Sequence, residues 1–179
     1  MSFRTFILSG PSGVGKDTVA NRLLAADPTL SLSRSWTTRP PRPRETDADY
    51  NFVTREEFLA AVDRGAFLEW AEYVGHLYGT PMPDPDSPTD VILVIEVKGA
   101  AQVLDLVPDA VMIFMVFPSR QAQEARLWAR GDTPEQIAPR IAVAEIEEAR
   151  GGELAHHVVV NDDVDRATAE VAGILASHR

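Results

Sequence analysis

Apolar positions along the chain follow two rhythms. Three short runs are apolar almost throughout: FRTFILS (3–9), VILVIEV (91–97) and VMIFMVF (111–117). Strands covered on both faces of a parallel sheet read this way, because neither face is left to water. HVVVN (157–161), YNFV (50–53) and the alternating FLEWAEYV (67–74) predict three more strands. Between them the spacing turns helical. Val19, Leu23 and Leu24 mark a helix over 16–26, and others are predicted over 99–106, 119–130, 134–150 and the closing DVDRATAEVAGILA. Thr54 with Glu57 forms a capping box for a helix through about residue 64. Thr133, Pro134 and Gln136 open the helix at 134 in the same way. Strands alternating with helices predict an α/β fold, a parallel sheet flanked by helices. Residues 33–90 break the alternation and predict a small strand-rich insertion into a core made of 1–32 and 91–179. TPMPDPDSPTD (80–90) holds four prolines in eleven residues and cannot carry a regular helix.

Composition narrows the partners. At 179 residues the chain suits a single domain with a substantial core. The net charge of −10 argues against nonspecific binding to nucleic acid or an anionic membrane. No apolar run approaches the roughly 18 residues of a membrane span. MSFRTFILSG is too short and too soon broken by glycine for a secretory signal, so a cytoplasmic location is expected. There is no cysteine. Of 17 basic residues only Lys16 and Lys98 are lysines, which makes Lys16 conspicuous. The four histidines lack metal-ligand spacing and receive no role.

GPSGVGKDTVANRLL (10–24) joins the first strand to the first helix. Gly10, Gly13 and Gly15 let the backbone around Ser12 and Val14 curl, so that successive N–H groups face phosphate oxygens, and the helix N-terminus adds its positive end. Lys16 would reach the β- and γ-phosphates of a bound nucleotide as a mobile point charge. The pattern G-x-x-x-x-G-K-[ST] asks for a hydroxyl after the lysine, yet Asp17 stands there with Thr18 one step later. A carboxylate is a good hard ligand for Mg²⁺, so Asp17 reads as a metal ligand and Thr18 as a second phosphate contact.

The insertion contains a second anion-binding pattern. In SRSWTTRPPRPRETDADYNFV (33–53), Arg39 and Arg42 lie three apart in a proline-stiffened segment suited to gripping a phosphate. Further on, Arg126 and Arg130 are i, i+4 on one helix, so both can face the same phosphates. Taken singly, Tyr50 and Tyr78 read as packing residues, and Glu69 beside Trp70 as a solvated charge.

Together these segments resemble the guanylate kinase family over nearly the whole chain. S-x-x-T-R-x-P-R-x-G-E…D-Y-x-F-V and E-F-x-E-W-A-x-x-x-G-x-x-Y-G-T form that family's GMP site, and Ser35, Arg39, Arg42, Tyr50, Glu69, Tyr78 and Thr80 stand at matching positions. The resemblance implies that Arg39, Arg42, Tyr50 and Tyr78 hold the GMP phosphate while Glu69, Ser35 and Thr80 read guanine. It adds Glu96 to the GMP site and, indirectly, to the metal. EARLWARGDTPEQIAPRI resembles the family's lid, which implies that Arg126, Arg130 and Arg140 reach the phosphates. Gly131 and Gly151–Gly152 read either as hinges or as helix ends. VVVNDD (158–163) resembles the turn near the adenine of ATP.

Four departures bear on function. Asp17 replaces the loop hydroxyl. LVIEVKGA (93–100) has Val94 where an acidic residue is usual and Lys98 where glutamine is usual. The turn before Tyr50 is one residue shorter, and the segment at 80–90 is about four residues shorter. The first two suggest a metal ligand displaced from strand to loop. A G-K-D loop also resembles ribose 1,5-bisphosphate phosphokinases, which lack the guanine-reading residues. The expected activity is ATP- and Mg²⁺-dependent phosphorylation of GMP and dGMP. A kinase of the same fold for another phosphorylated acceptor, or a non-catalytic binding module, stands as the alternative.

Overall fold

The computed structural model describes residues 4–42, 45–47, 49–84 and 86–179. Its centre is a five-stranded parallel sheet in the order β2-β7-β1-β8-β9, formed by β1 (Thr5–Ser9), β2 (Leu30–Ser33), β7 (Asp90–Val94), β8 (Val111–Val116) and β9 (His157–Val160). The apolar runs are explained by a core on each face. Phe6, Leu8, Ile92, Ile113, Met115 and Val159 pack on one side with Val19 and Leu23 of α1 (Lys16–Ala26) and Val171 and Leu175 of α6 (Val164–Ser177). Ile7, Leu93, Met112 and Phe114 pack on the other with Ala100 and Val103 of α3 (Val97–Leu106).

Boundaries differ from the sequence reading in instructive places. Phe3, counted in the first strand, lies outside the described residues. The run at 91–97 is a strand only to Val94; Glu96 is the N-cap of α3, accepting from the N–H groups of Lys98 (2.6 Å) and Gly99 (2.9 Å). Apolar continuity hid this turn, because Ile95 and Val97 are buried on either side of the cap. β2 ends in serines and carried no apolar run to reveal it. α4 (Arg120–Ala129) is capped by Ser119, and α5 (Pro134–Leu154) runs four residues past the expected end. Gly151 and Gly152 therefore lie within α5 and are not a hinge. A Cβ at Gly151 would collide with the Phe114 ring, so this glycine lets the helix close on β8. Gly131, at φ 91, does end α4.

A second sheet, β4-β3-β6-β5, stands apart from the first. It comprises β3 (Trp36–Thr37), β4 (Asn51–Phe52), β5 (Phe67–Tyr73) and β6 (His76–Pro81), of which β3 and β6 carried no named strand signal in the sequence. α2 (Arg55–Asp63), with the expected Thr54–Glu57 capping box, packs Phe58 against Phe67 with ring centroids 4.7 Å apart. β5 and β6 form a hairpin turning at Val74 and Gly75, both at positive φ (50° and 77°). Its register places Glu69 opposite Thr80. The described residues of 82–89 form no helix, as the prolines require. No helix is long and apolar enough to cross a membrane among the described residues.

Candidate active site

The C-terminal ends of β1 and β7 open onto a cleft of about 820 Å³, open solvent included, that faces the second sheet. On the core side stand Gly10, Ser12, Gly13, Lys16 and Asp17; on the sheet side stand Ser35, Arg39, Arg42, Tyr50, Glu69 and Tyr78. Val94, Glu96, Arg130 and Glu147 are also part of its wall.

The loop after β1 takes its shape from its glycines. Gly10, Gly13 and Gly15 have φ of 145°, 86° and 102°, and a Cβ on Gly10 would run into the Met115 carbonyl. Val14 is fully buried beneath the loop, and its carbonyl accepts from Asn161 Nδ2 (2.7 Å) and Arg126 Nη1 (3.1 Å). Lys16 Nζ donates back to the carbonyls of Gly10 (2.5 Å) and Pro11 (3.2 Å), which keeps the ammonium at the cleft floor. Burial lowers the Lys16 pKa, while the negative charges of Asp17, Glu147 and Glu96 raise it. Asp17 is exposed at the cleft; Thr18 is exposed outside its lining, and Gly15 lies behind it.

On the second sheet, Arg39 makes a bidentate pair with Glu45: Nη1 to Oε2 at 2.8 Å and Nη2 to Oε1 at 2.9 Å. Arg42 donates its backbone N–H to Glu45 Oε2 (2.8 Å) and Nη1 to Oε1 (3.3 Å). The Arg39 guanidinium lies 5.5 Å from the centroid of Tyr50, whose ring is 6.4 Å from that of Tyr78. Burial pushes the Tyr50 hydroxyl well above the usual range. Glu69 is 5% exposed, and its Oε1 accepts from Thr80 Oγ1 at 2.5 Å, as the strand register dictates. Burial raises its pKa to about 7, the Thr80 hydrogen bond opposing. Thr80 is fully buried behind Glu69 and does not itself line the cleft. Glu96 has both oxygens on the α3 N-terminus, and burial raises its pKa as well.

The arginines of α4 and α5 divide. Arg126 does not share a target with Arg130: its Nη2 donates to the Asn161 carbonyl (2.6 Å), beside its bond to Val14, and it fastens the loop from below. Arg130 and Arg140 both reach the Ser12 hydroxyl, at 3.4 and 3.0 Å, and both pair with Asp132.

Five residues here escaped the sequence reading. Asp132 looks like an ordinary surface acid in sequence, and Glu45, although it stands at the last position of the S-x-x-T-R-x-P-R-x-G-E pattern, receives no role there. Asn161 lay within a segment too short to be specific. Gly99 allows α3 to approach Glu69, since a Cβ there would stand 2.5 Å from Glu69 Oε2. Glu147, 8% exposed on α5 with Oε2 unpartnered among the described residues, lines the cleft; burial raises its pKa to about 7, with Lys16 opposing. Its helical spacing of seven from Arg140 places it on Arg140's face of α5, the one signal that could have found it.

Among the described residues no three His, Cys, Asp or Glu side chains converge as a metal site. Asp17 and Glu96 offer two carboxylates at the cleft, the complement Mg²⁺ takes when phosphates and water fill its other positions. The residues therefore fit an ion carried chiefly by a nucleotide.

The chain is similar to known proteins along nearly its whole length. The guanylate kinase family model matches residues 2–178. The chain is 48% identical over 185 residues to a guanylate kinase of Thermus thermophilus, covering 100% of this chain and 83% of that protein. It is 44% identical to a guanylate kinase of Symbiobacterium thermophilum, covering 97% and 84%. It is also similar to the crystal structure of guanylate kinase from Anaplasma phagocytophilum, with a TM-score of 0.79 and 31% identity over 98% of this chain and 86% of the other.

Proposed function

The chain belongs to the guanylate kinase family, and from that premise we propose that it transfers the γ-phosphoryl group of ATP in line to the phosphate of GMP, or dGMP, giving the diphosphate and ADP. The observation that carries the reading is a single cleft in which a lysine-bearing phosphate loop faces a buried carboxylate. Guanine presents N1–H and an N2 amino group side by side, and ionised Glu69 can accept from both. Adenine has no such pair and would leave the carboxylate unsatisfied. Ser35 stands beside it in the cleft, and Thr80 fixes one carboxylate oxygen.

The acceptor is already an anion, so transfer needs positioning and charge neutralisation more than a general base. Arg39 and Arg42, with Tyr50 and Tyr78, hold the acceptor phosphate, exchanging part of their contact with Glu45. Lys16 leaves its backbone carbonyls for the ATP phosphates, and the N–H groups of Ser12, Gly13 and Gly15 cradle them, that of Val14 being donated to the Pro11 carbonyl (3.2 Å). Arg130 and Arg140 approach from the other side, while Arg126 holds the loop in shape. Asp17, and more remotely Glu96, would hold Mg²⁺, which would supply positive charge to offset that of the phosphates. The second sheet, within residues 33–90, and the lid at about 126–145 close over the nucleotides and exclude water, which otherwise competes as acceptor.

An ADP-release assay with Mg·ATP tests this against GMP, dGMP, AMP, UMP, CMP and ribose 1,5-bisphosphate. Turnover confined to GMP and dGMP is expected. Turnover only with the sugar bisphosphate, or with none, would overturn the acceptor assignment.

A further inference from the structure

Gly131, at φ 91, ends α4, and Thr133 caps α5, so Asp132 occupies the junction between the helices that carry Arg130 and Arg140. Its side chain is only 13% exposed. Oδ1 accepts from Arg130 Nε (3.3 Å) and Oδ2 from Arg130 Nη2, while Arg140 Nε lies 3.5 Å from the same Oδ2. In both arginines the carboxylate engages the Nε edge, and in both the free Nη1 points at Ser12 of the phosphate loop. A guanidinium is a rigid planar fork, so fixing one edge fixes the direction of the other. Two guanidinium groups aimed at one hydroxyl repel each other, and a shared carboxylate offsets that repulsion.

Building on the kinase reading above, we propose that Asp132 is a positioning residue that holds Arg130 and Arg140 aimed at the phosphates of ATP before ATP arrives. It touches no reacting atom. Removing its charge weakens the orientation of both arginines, and it also removes a negative charge near the phosphates. Those two effects oppose each other in ATP binding, whereas only the first bears on the transition state. The signature is therefore a fall in kcat at nearly constant KM.

Steady-state kinetics of Asp132→Asn test this, with Asp132→Glu and the Arg130→Lys/Arg140→Lys background alongside. The expected result is a kcat about tenfold lower, KM for ATP and GMP within about threefold, partial recovery in Asp132→Glu, and no further loss when Asp132→Asn is added to the double lysine variant. Unchanged kcat overturns the proposal. So does an equal loss in the lysine background, which would mean that Asp132 acts elsewhere. Tenfold tighter binding of a non-hydrolysable ATP analogue with kcat retained would make Asp132 a competitor of phosphate instead. Should the wild-type protein turn over no GMP, the acceptor reading falls, and Asp132 is then judged by calorimetry alone. The binding enthalpy of the analogue is expected to be smaller in Asp132→Asn, and an equal enthalpy overturns the proposal.

Discussion

Glu147 offers a direct test of the electrostatics of the cleft. Its carboxylate is buried on α5, one oxygen has no hydrogen-bond partner among the described residues, and burial carries its pKa from the ordinary glutamate value of 4.5 to about 7. In an unfolded chain the group ionises freely near 4.5, so the folded state holds its proton over a range where the unfolded state has lost it. Stability is therefore lost as pH rises from about 4.5 to about 7, and the loss is complete above that. At 1.36 kcal/mol per unit, the raised pKa costs the folded state about 3 kcal/mol at pH 8 and about 1 kcal/mol at pH 5.5. Glu147→Gln keeps the shape and abolishes the titration. Any cost of seating the amide is the same at both pH values and cancels in the comparison. Urea unfolding at pH 5.5 and pH 8 should then show the variant gaining about 2 kcal/mol more, relative to wild type, at the higher pH. Parallel behaviour of the two proteins across that interval would refute the argument, since it would mean that the carboxylate ionises as easily folded as unfolded.

Three further outcomes follow from the same cleft. Glu69, with its pKa raised to about 7, must be ionised to accept both guanine donors, so kcat/KM for GMP should rise with pH and level off above about 7; Glu69→Gln should have low activity without that rise, and a wild-type profile flat through pH 6–8 would contradict it. Gly99→Ala would place a methyl 2.5 Å from Glu69 Oε2, and thermal or urea unfolding should show a loss of about 1–3 kcal/mol together with a raised KM for GMP. Asp17→Ser should retain substantial activity and respond less steeply to Mg²⁺ concentration, and complete loss of ATP binding by calorimetry would contradict the loop assignment.

The doubly wound core was legible because burial on both faces writes itself as uninterrupted apolar runs: Phe6 and Leu8 go to one side and Ile7 to the other, so every position is apolar. That same signal misled at its end. Ile95 and Val97 are buried around a polar cap, and nothing in VILVIEV distinguishes a strand from a strand followed by a helix N-terminus. β2 is an edge strand with serines at alternate positions, and a two-residue strand such as β3 is too short to have a period at all. The phosphate loop was legible because its conformation needs glycine at fixed places. Glu45, Asp132 and Glu147 were not, because their significance lies in what tertiary packing sets opposite them.

Those three residues share a physical logic. The chain carries a net charge of −10, yet its cleft is lined with cations that await phosphates. Buried or half-buried cations without counter-charges are costly, and removing one partner of such a pair is worse than removing both. Here Glu45 satisfies Arg39 and Arg42, and Asp132 satisfies Arg130 and Arg140. The charge of Glu147 favours the ammonium form of Lys16 against the burial that would neutralise it. Glu45 thus stands in for a phosphate charge in the nucleotide-free protein, whereas Asp132 keeps its two arginines aimed and Glu147 acts on Lys16 only through its charge when ionised. At Arg39 and Arg42, binding becomes an exchange of partners more than a new gain, and that restrains affinity for acceptor and product alike. Such restraint suits an enzyme that must release two charged nucleotides in every cycle, because interactions that grip the ground state as tightly as the transition state would slow release without speeding transfer.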